Sequence, residues 1–214
     1  WLRTQIHDHP IIVSSAFFGV IIASAFVTRT EVRHWRTSRL VVLVTTLGLT
    51  FALLGIRSGA YENPRPIILI VAGSIAICAM ILPGISGSFI LLMIGLYDHL
   101  IGALDERDFS VLLLYMVGAI IGLTLFSRVL HKLLSRYRDL IVSALLGLML
   151  GSLRVLWPWP SNQGGLEDTR LGVPIGEDVV GALVAAMLGA ALVVVIVGLM
   201  SRYRDFDAEG ALEM

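Results

Sequence analysis

Seven long apolar runs, separated by short polar segments, form the main pattern of this chain. They cover residues 10–27, 40–56, 67–82, 89–104, 109–126, 140–156 and 179–200. A helix needs about 20 apolar residues to cross a bilayer, with a range of roughly 17–25. Five runs reach or approach that length, whereas residues 67–82 and 89–104 each supply only about 24 Å of helix. The pattern therefore predicts an all-α polytopic membrane protein with about five spanning helices.

The two shorter runs flank a hexapeptide at residues 83–88, with the sequence Pro-Gly-Ile-Ser-Gly-Ser. A helix does not continue through it, because Pro83 lacks a backbone donor and the two glycines relax the backbone. Irregular backbone at membrane depth is tolerated only where it is buried in protein or lines a cavity. The hexapeptide is therefore the first candidate for a functional site.

Charged residues between the runs indicate how the chain crosses the membrane. Ten of the sixteen basic residues fall in three segments: Arg29, Arg33, Arg36, Arg39, Arg128, Lys132, Arg136, Arg138, Arg202 and Arg204. The intervening segments, interpreted as acidic or neutral, contain eight of the sixteen acidic residues: Glu62, Asp105, Glu106, Asp108, Glu167, Asp168, Glu177 and Asp178. Basic segments are expected in the cytoplasm. This alternation holds only if residues 67–104 enter and leave the membrane on the same side. They are therefore predicted to form a re-entrant helical hairpin with the hexapeptide at its tip. The same alternation predicts a cytoplasmic C-terminus.

A short internal repeat supports two related halves of opposite orientation. Residues 15–24 (SAFFGVIIAS) align with residues 143–152 (SALLGLMLGS). Inverted repeats are common in transporters that bind substrate between the halves. We therefore expect one membrane domain over 1–214, with residues 10–56 ending a first repeat and residues 67–200 forming the second. The spacing places the first repeat's own loop before Trp1, so we expect the chain to be a fragment of a longer protein.

The composition narrows the class of protein. The chain is 57% hydrophobic and 15% charged, whereas soluble domains carry roughly 25% charged residues. Its formal net charge of zero argues against nucleic acid as a partner. The five histidines are scattered and form no metal-ligand motif, and no catalytic residues or cofactor are predicted. The single cysteine, Cys78, is expected to be a small core residue. Small-residue pairs in the runs favour helix association and leave a homo-oligomer open.

The chemistry of the hexapeptide suits an anion. If a helix begins at Phe89, Gly87 and Ser88 lie at its N-terminus, where free amides and the positive end of the dipole favour phosphate. Ser86 and Ser88 add hydroxyl donors, and Gly84 and Gly87 allow a ligand to approach the backbone closely. The alternative is an ordinary turn in which Ser88 only caps the helix.

Two positions elsewhere could complete the chemistry. Arg154 lies in a membrane segment, where arginine is by default a functional hypothesis, and could bind phosphate with its planar fork. The alternative is that it extends to an interface marked by Trp157 and Trp159. Asp98 could carry a coupling proton, or could lie solvated near the outer surface. The predicted substrate-binding residues are Pro83, Gly84, Ser86, Gly87, Ser88, Ser152 and Arg154.

Residues 83–97 (PGISGSFILLMIGLY) and 151–158 (GSLRVLWP) resemble the second half of the polyprenyl-phosphate transporter family PopT, formerly a family of unknown function. The resemblance implies a flippase in the bacterial cell membrane. It would return undecaprenyl phosphate, a carrier of peptidoglycan precursors, from the outer to the inner leaflet, with membrane lipids as its surroundings.

Two alternatives stay open. Undecaprenyl-diphosphate phosphatases also have a Pro-Gly-x-Ser loop and inverted repeats, but that family's loop has an arginine where Gly87 stands here. It also expects membrane glutamates, and the apolar runs of this chain contain none. The other alternative is a scaffold that transports nothing.

Overall fold

The computed structural model describes residues 9–55, 64–159, 172 and 178–210, and every regular element within these ranges is helical. The α-helices are α1 (Pro10–Thr28), α2 (Thr37–Leu53), α3 (Pro66–Ile81), α4 (Gly87–Met93), α5 (Tyr97–Asp105), α6 (Phe109–Ser152) and α7 (Asp178–Gly210). A single 3₁₀ turn, Arg29–Glu31, follows α1. The all-α prediction is confirmed. The acidic positions predicted at residues 62, 167, 168 and 177 lie outside the described residues.

Local sequence explains where the helices start. Pro10 and Pro66 occupy the first turns of α1 and α3, where the missing proline N–H costs nothing and its fixed φ suits the helix. Asp108 precedes α6 and its Oδ1 accepts hydrogen bonds from the amides of Ser110 at 3.0 Å and Val111 at 3.3 Å. The carboxylate thus satisfies donors that a helix leaves free at its N-terminus.

The helices group into two compact units. The first comprises residues 1–30 and 153–214 and contains α1 and α7, which pack against each other. The second comprises residues 31–152 and contains α2 to α6. The expected single membrane domain over 1–214 stays a prediction.

In the first unit, glycines let two backbones meet. A Cβ atom on Gly19 would overlap the backbone oxygen of Ala186, and one on Gly189 would overlap that of Ala16. Gly19 thus lies against the carbonyl of Ala186, three residues before Gly189. Gly189 in turn lies against the carbonyl of Ala16, three residues before Gly19. Small residues are what permit such close helix contacts where lipid supplies no hydrophobic driving force.

The second unit contains the same reciprocal arrangement between α3 and α6. A Cβ on Gly118 would overlap the backbone oxygen of Ile70, and one on Gly73 would overlap that of Tyr115. Hydrogen bonds across this contact show the direction of the two helices. Ser74 Oγ donates to the Gly118 oxygen at 2.6 Å, and four residues later on both helices Cys78 Sγ lies 3.7 Å from the oxygen of Gly122. Therefore α3 and the first part of α6 run in the same direction.

The long helix α6 doubles back at Tyr137, whose φ of −132° and ψ of 41° are not helical. In a straight α-helix Gly122 and Met149 would lie about 40 Å apart. Yet Gly122 contacts Cys78 and Met149 lies beside Gly84, and the chain from Cys78 to Gly84 reaches at most about 22 Å. We call the parts before and after this reversal α6a (residues 109–136) and α6b (residues 138–152).

Helix α2 packs along α6b in the same direction. Arg39, near the start of α2, forms an ion pair of 2.9 Å with Asp139, near the start of α6b. Towards the other ends, a Cβ on Gly151 would lie 2.7 Å from Cβ of Thr50. The reversal at Tyr137 thus lets α6a pack on α3 and α6b pack on α2. This explains why one continuous helix contains two of the apolar runs predicted as separate spans.

By length and composition, three helices in the described part of the chain could cross a membrane, or four if the bent pair α4 and α5 counts as one span. Helices α2 and α3, with 17 and 16 residues, are apolar but shorter. The prediction of a polytopic membrane protein is confirmed.

The hairpin predicted over residues 67–104 needs one correction. Its first arm is the single helix α3, but its second arm is not one helix. Helices α4 and α5 are bent by 110° relative to each other, at Gly95, whose φ is +74°. The break buries Leu96, which is 1% exposed and packs against Leu69 and Tyr115, and Tyr115 Oη donates to the Leu96 oxygen at 3.3 Å.

The short repeat falls on two helix-packing stripes. Ser15 and Ser143 are both buried, and so are Gly19 and Gly147. Small residues four apart on a helix form a flat stripe for a neighbouring helix. The pattern therefore has a packing explanation at both copies, and the inverted repeat stays a prediction.

Candidate functional site

The hexapeptide begins with a tight turn after α3. The Leu82 oxygen accepts a hydrogen bond from the amide of Ile85 at 3.5 Å, with Pro83 and Gly84 between them. Gly84 has a φ of +86°. Proline at the second position and a positive-φ glycine at the third are typical of a type II turn. The local sequence therefore dictates that α3 ends here and that the chain reverses.

The turn rests on the last turn of α6b. A Cβ on Gly84 would lie 2.9 Å from Cα of Met149 and 3.2 Å from Oγ of Ser152. Ser152 is 5% exposed, and its hydroxyl donates to the Met149 oxygen at 2.8 Å. The structure thus brings together two predicted site residues, Gly84 and Ser152, that are far apart in sequence. The Ser152 hydroxyl already has an acceptor within its own helix, which weakens its case as a ligand.

Ser86 and Ser88 present their hydroxyls at the surface of the second unit. Both residues are exposed, and their Oγ atoms lie 2.8 Å apart, within hydrogen-bonding distance. Ser86 precedes α4, yet its side chain makes no capping hydrogen bond. Nor does Ser88 cap the helix as the alternative suggested, because α4 starts at Gly87, two residues before the predicted start. The two hydroxyls are therefore oriented towards each other.

Gly87 has a structural reason to be glycine. A Cβ there would overlap the backbone oxygen of Ala76 and lie 2.7 Å from Cγ of Met80. Glycine therefore allows the start of α4 to pack against α3. The approach of a ligand to Gly87 stays a prediction. Because α4 has only seven residues, its helix dipole is shorter than that of a helix over the whole predicted run 89–104.

Arg154 and Asp98 have different settings. Arg154 follows Ser152 by two residues, is half-buried and belongs to the first unit, so its role in binding stays a prediction. In the same unit, Trp157 Nε1 donates to the Gly172 oxygen at 3.0 Å. Asp98 is exposed in the first turn of α5, where a negative charge is favoured by the helix dipole. That setting fits the solvated alternative, and a role for Asp98 in proton coupling stays a prediction.

Sequence reasoning missed the neighbour of Asp98. The Nδ1 atom of His99 is buried and has no hydrogen-bond partner among the described residues. Its ring centre lies 6.4 Å from that of Tyr115. The sequence shows only a histidine in an apolar run, and its burial depends on the bend between α4 and α5.

Sequence reasoning also missed the ion pairs at the reversal of α6. Asp139 Oδ2 pairs with Arg39, and its Oδ1 lies 3.5 Å from the amide of Arg33. Arg138 pairs with Glu31. The sequence signal available for these pairs was that single acids, Glu31 and Asp139, lie within or beside otherwise basic segments. These pairs join the start of α2 and the segment before it to the start of α6b.

Comparison with known proteins gives the family. Residues 1–171 match the profile of the VCA0040-like family, described as undecaprenyl phosphate translocase-like. The chain is 44% identical over 152 residues to a polyprenyl-phosphate transporter of Vibrio cholerae serotype O1, an alignment that covers 71% of this chain and 49% of that protein. It is 30% identical over 99 residues to a polyprenyl-phosphate transporter of Staphylococcus aureus, covering 43% of this chain and 35% of that protein.

The chain therefore spans about half the length or less of the curated relatives it matches. No solved structure is detectably similar to it. The resemblance seen in residues 83–97 and 151–158 is confirmed by the family match, which covers both segments. The chain belongs to the VCA0040-like family of undecaprenyl phosphate translocase-like proteins.

Proposed function

We propose that this chain is part of a membrane transporter that moves polyprenyl phosphate from the outer to the inner leaflet, and so returns the lipid carrier for envelope synthesis. The family and the names of its relatives support transport of this class of lipid. The same names argue against the phosphatase alternative, because both describe movement of the lipid and neither describes hydrolysis.

The observation that carries the site is the pair of exposed hydroxyls on Ser86 and Ser88, 2.8 Å apart. They lie at an interruption within an apolar unit, and each is at present the other's partner. A phosphate oxygen can replace that mutual hydrogen bond and accept from both hydroxyls. Hydrogen bonds to an ionised acceptor are stronger than those between neutral groups, so the exchange is favourable.

The surroundings of the hydroxyls fit a lipid with a charged head. The amides at the start of α4 lack partners within the helix, which adds donors next to Ser88. The faces of α3 and α6a nearby expose large apolar side chains, including Met80 at 66% and Leu125 at 64%. A long polyprenyl tail can therefore remain in lipid while its phosphate binds at the hexapeptide. Arg154 is proposed to neutralise the charge, and Asp98 to carry a coupling proton.

We further propose an orientation in the bacterial cell membrane. The basic segments that contain Arg33 and Lys132 face the cytoplasm, as does the C-terminus, because positive residues are retained on that side. Helices α3 and α6a run in the same direction, as this arrangement requires. Transport then follows the rocking of two inverted halves around the bound phosphate.

The test uses the full-length protein in vesicles that contain undecaprenyl phosphate. The measurement is the fraction of the lipid that a membrane-impermeant phosphate probe reaches from outside. The variant S86A/S88A should lower the initial rate of lipid movement at least about tenfold. This corresponds to roughly 1.4 kcal/mol more activation free energy for transport.

The matched control is S110A/S135A, which removes two other exposed hydroxyls of the same unit and should transport normally. Normal transport by S86A/S88A would refute the site. Release of inorganic phosphate from undecaprenyl diphosphate by the purified protein would instead favour the phosphatase alternative. Absence of both activities in the unmodified protein would favour the scaffold.

A further inference from the structure

We propose that α6a presents a binding surface for anionic phospholipid headgroups, formed by Arg128, Lys132 and Arg136. We call these three residues the basic face. They follow each other at intervals of four, so they lie along one side of the helix, and all three are exposed. On the opposite side of the helix, Leu130 and Leu134 are half-buried.

The position of the basic face along α6a points to a membrane surface. Residues 109–127 contain no charged side chain and extend for about 28 Å, close to the roughly 30 Å thickness of the hydrocarbon layer. They expose apolar side chains throughout, from Phe109 at 75% to Leu125 at 64%. Asp108 precedes this stretch and Arg128 follows it. The basic face thus begins where the helix leaves the hydrocarbon and meets the headgroups.

Nearby acids do not neutralise the face. Within the part of the chain that the structure describes, the two acids closest in sequence or packing are already paired, Asp139 with Arg39 and Glu31 with Arg138. Neither Arg128 nor Lys132 forms an ion pair among the described residues. Arg136 Nε donates to Tyr137 Oη at 3.1 Å, which leaves its other nitrogens for phosphate.

The chemistry favours lipid over other anions. Cations next to a membrane surface are attracted to anionic headgroups, and long basic side chains reach phosphates while their stems stay on apolar surface. Val129, 45% exposed, lies next to the basic face and can enter the headgroup region. The chain's net charge of zero offers no general attraction for nucleic acid, so the attraction is local to this face.

The experiment measures lipid selectivity with the full-length protein in phosphatidylcholine bilayers that contain no polyprenyl lipid. Spin-labelled phosphatidylglycerol and phosphatidylcholine report the relative association constant of each lipid with the protein. We expect phosphatidylglycerol to be preferred about twofold or more. The variant R128Q/K132Q should bring the ratio close to one.

The matched control is R65Q/R107Q, which removes the same charge from two exposed arginines at the acidic end of α3 and α6a. It should keep the preference. A preference unchanged in R128Q/K132Q, or lost equally in the control, would overturn the proposal. A second measurement needs no variant: raising salt from about 0.1 M to about 1 M shortens the Debye length from about 10 Å to about 3 Å. The preference should then disappear, and its persistence would exclude an electrostatic surface.

Discussion

A Cβ atom on Gly84 would lie 3.2 Å from the hydroxyl oxygen of Ser152, so the turn of the hexapeptide rests on the last turn of α6b. This contact joins the hexapeptide to the far end of a helix that first reverses at Tyr137. The conformation of the hexapeptide therefore depends on its own proline and glycine and also on the path of α6.

The variant G84A should destabilise the protein. Alanine is strained at a φ of +86°, and its Cβ would lie only 2.9 Å from the backbone of Met149. We expect a loss of about 1–3 kcal/mol in the free energy of unfolding, measured by thermal or denaturant unfolding in detergent.

The matched control for this prediction is G102A in α5. Nothing lies within 4 Å of a Cβ at Gly102, so alanine should be neutral or add up to about 1 kcal/mol of stability. Equal effects of the two substitutions would show that the left-handed turn does not constrain the fold.

The variant G118A should separate α3 from α6a. Its Cβ would overlap the backbone oxygen of Ile70, and a backbone atom cannot move aside as a side chain can. We expect a loss of about 2 kcal/mol or more, together with weakening of the hydrogen bond from Ser74 to the same helix. Unfolding in detergent measures it, with G48A as the control because Gly48 faces open space. Full stability of G118A would contradict the close contact.

The variant D139N should weaken the reversal of α6. Asp139 and Arg39 are only 15% and 18% exposed, and loss of one partner leaves the guanidinium without its charge partner. We expect a loss of about 1–3 kcal/mol, since hydrogen bonds to buried charges are costly to break.

The comparison is E31Q, which breaks the exposed pair of Glu31 with Arg138 and should cost at most about 1 kcal/mol. Both are measured by unfolding at low and high salt. A larger effect of E31Q than of D139N would refute this ranking.

The variants S86A and S88A should alter transport while leaving stability unchanged within about 0.5 kcal/mol, because both side chains are exposed. If the two hydroxyls act on one phosphate, the loss in the double variant should differ from the sum of the single losses. Strict additivity in the transport rate would argue that the hydroxyls act separately. The stability measurement distinguishes this result from that of G84A, which should change both quantities.

Much of the fold follows from the sequence because the bilayer restricts what a chain can do. Backbone groups in hydrocarbon must be satisfied within the segment, so apolar runs become helices, and Pro10 and Pro66 set their starts. The turn at Pro83 and Gly84 follows from the same local rules. The sequence also identified the family, through the residues around that turn.

Only the tertiary structure decided which faces meet. Gly95 marks the end of α4 locally, since a positive-φ glycine commonly terminates a helix, but the direction of α5 after it depends on burying Leu96 against Leu69 and Tyr115. Likewise, glycine at residue 87 suggested an approach for a ligand, whereas in the structure it allows α4 to pack on Ala76. Burial and pairing depend on residues that are far apart along the chain, so they are determined when the helices pack and not by the composition of any one run.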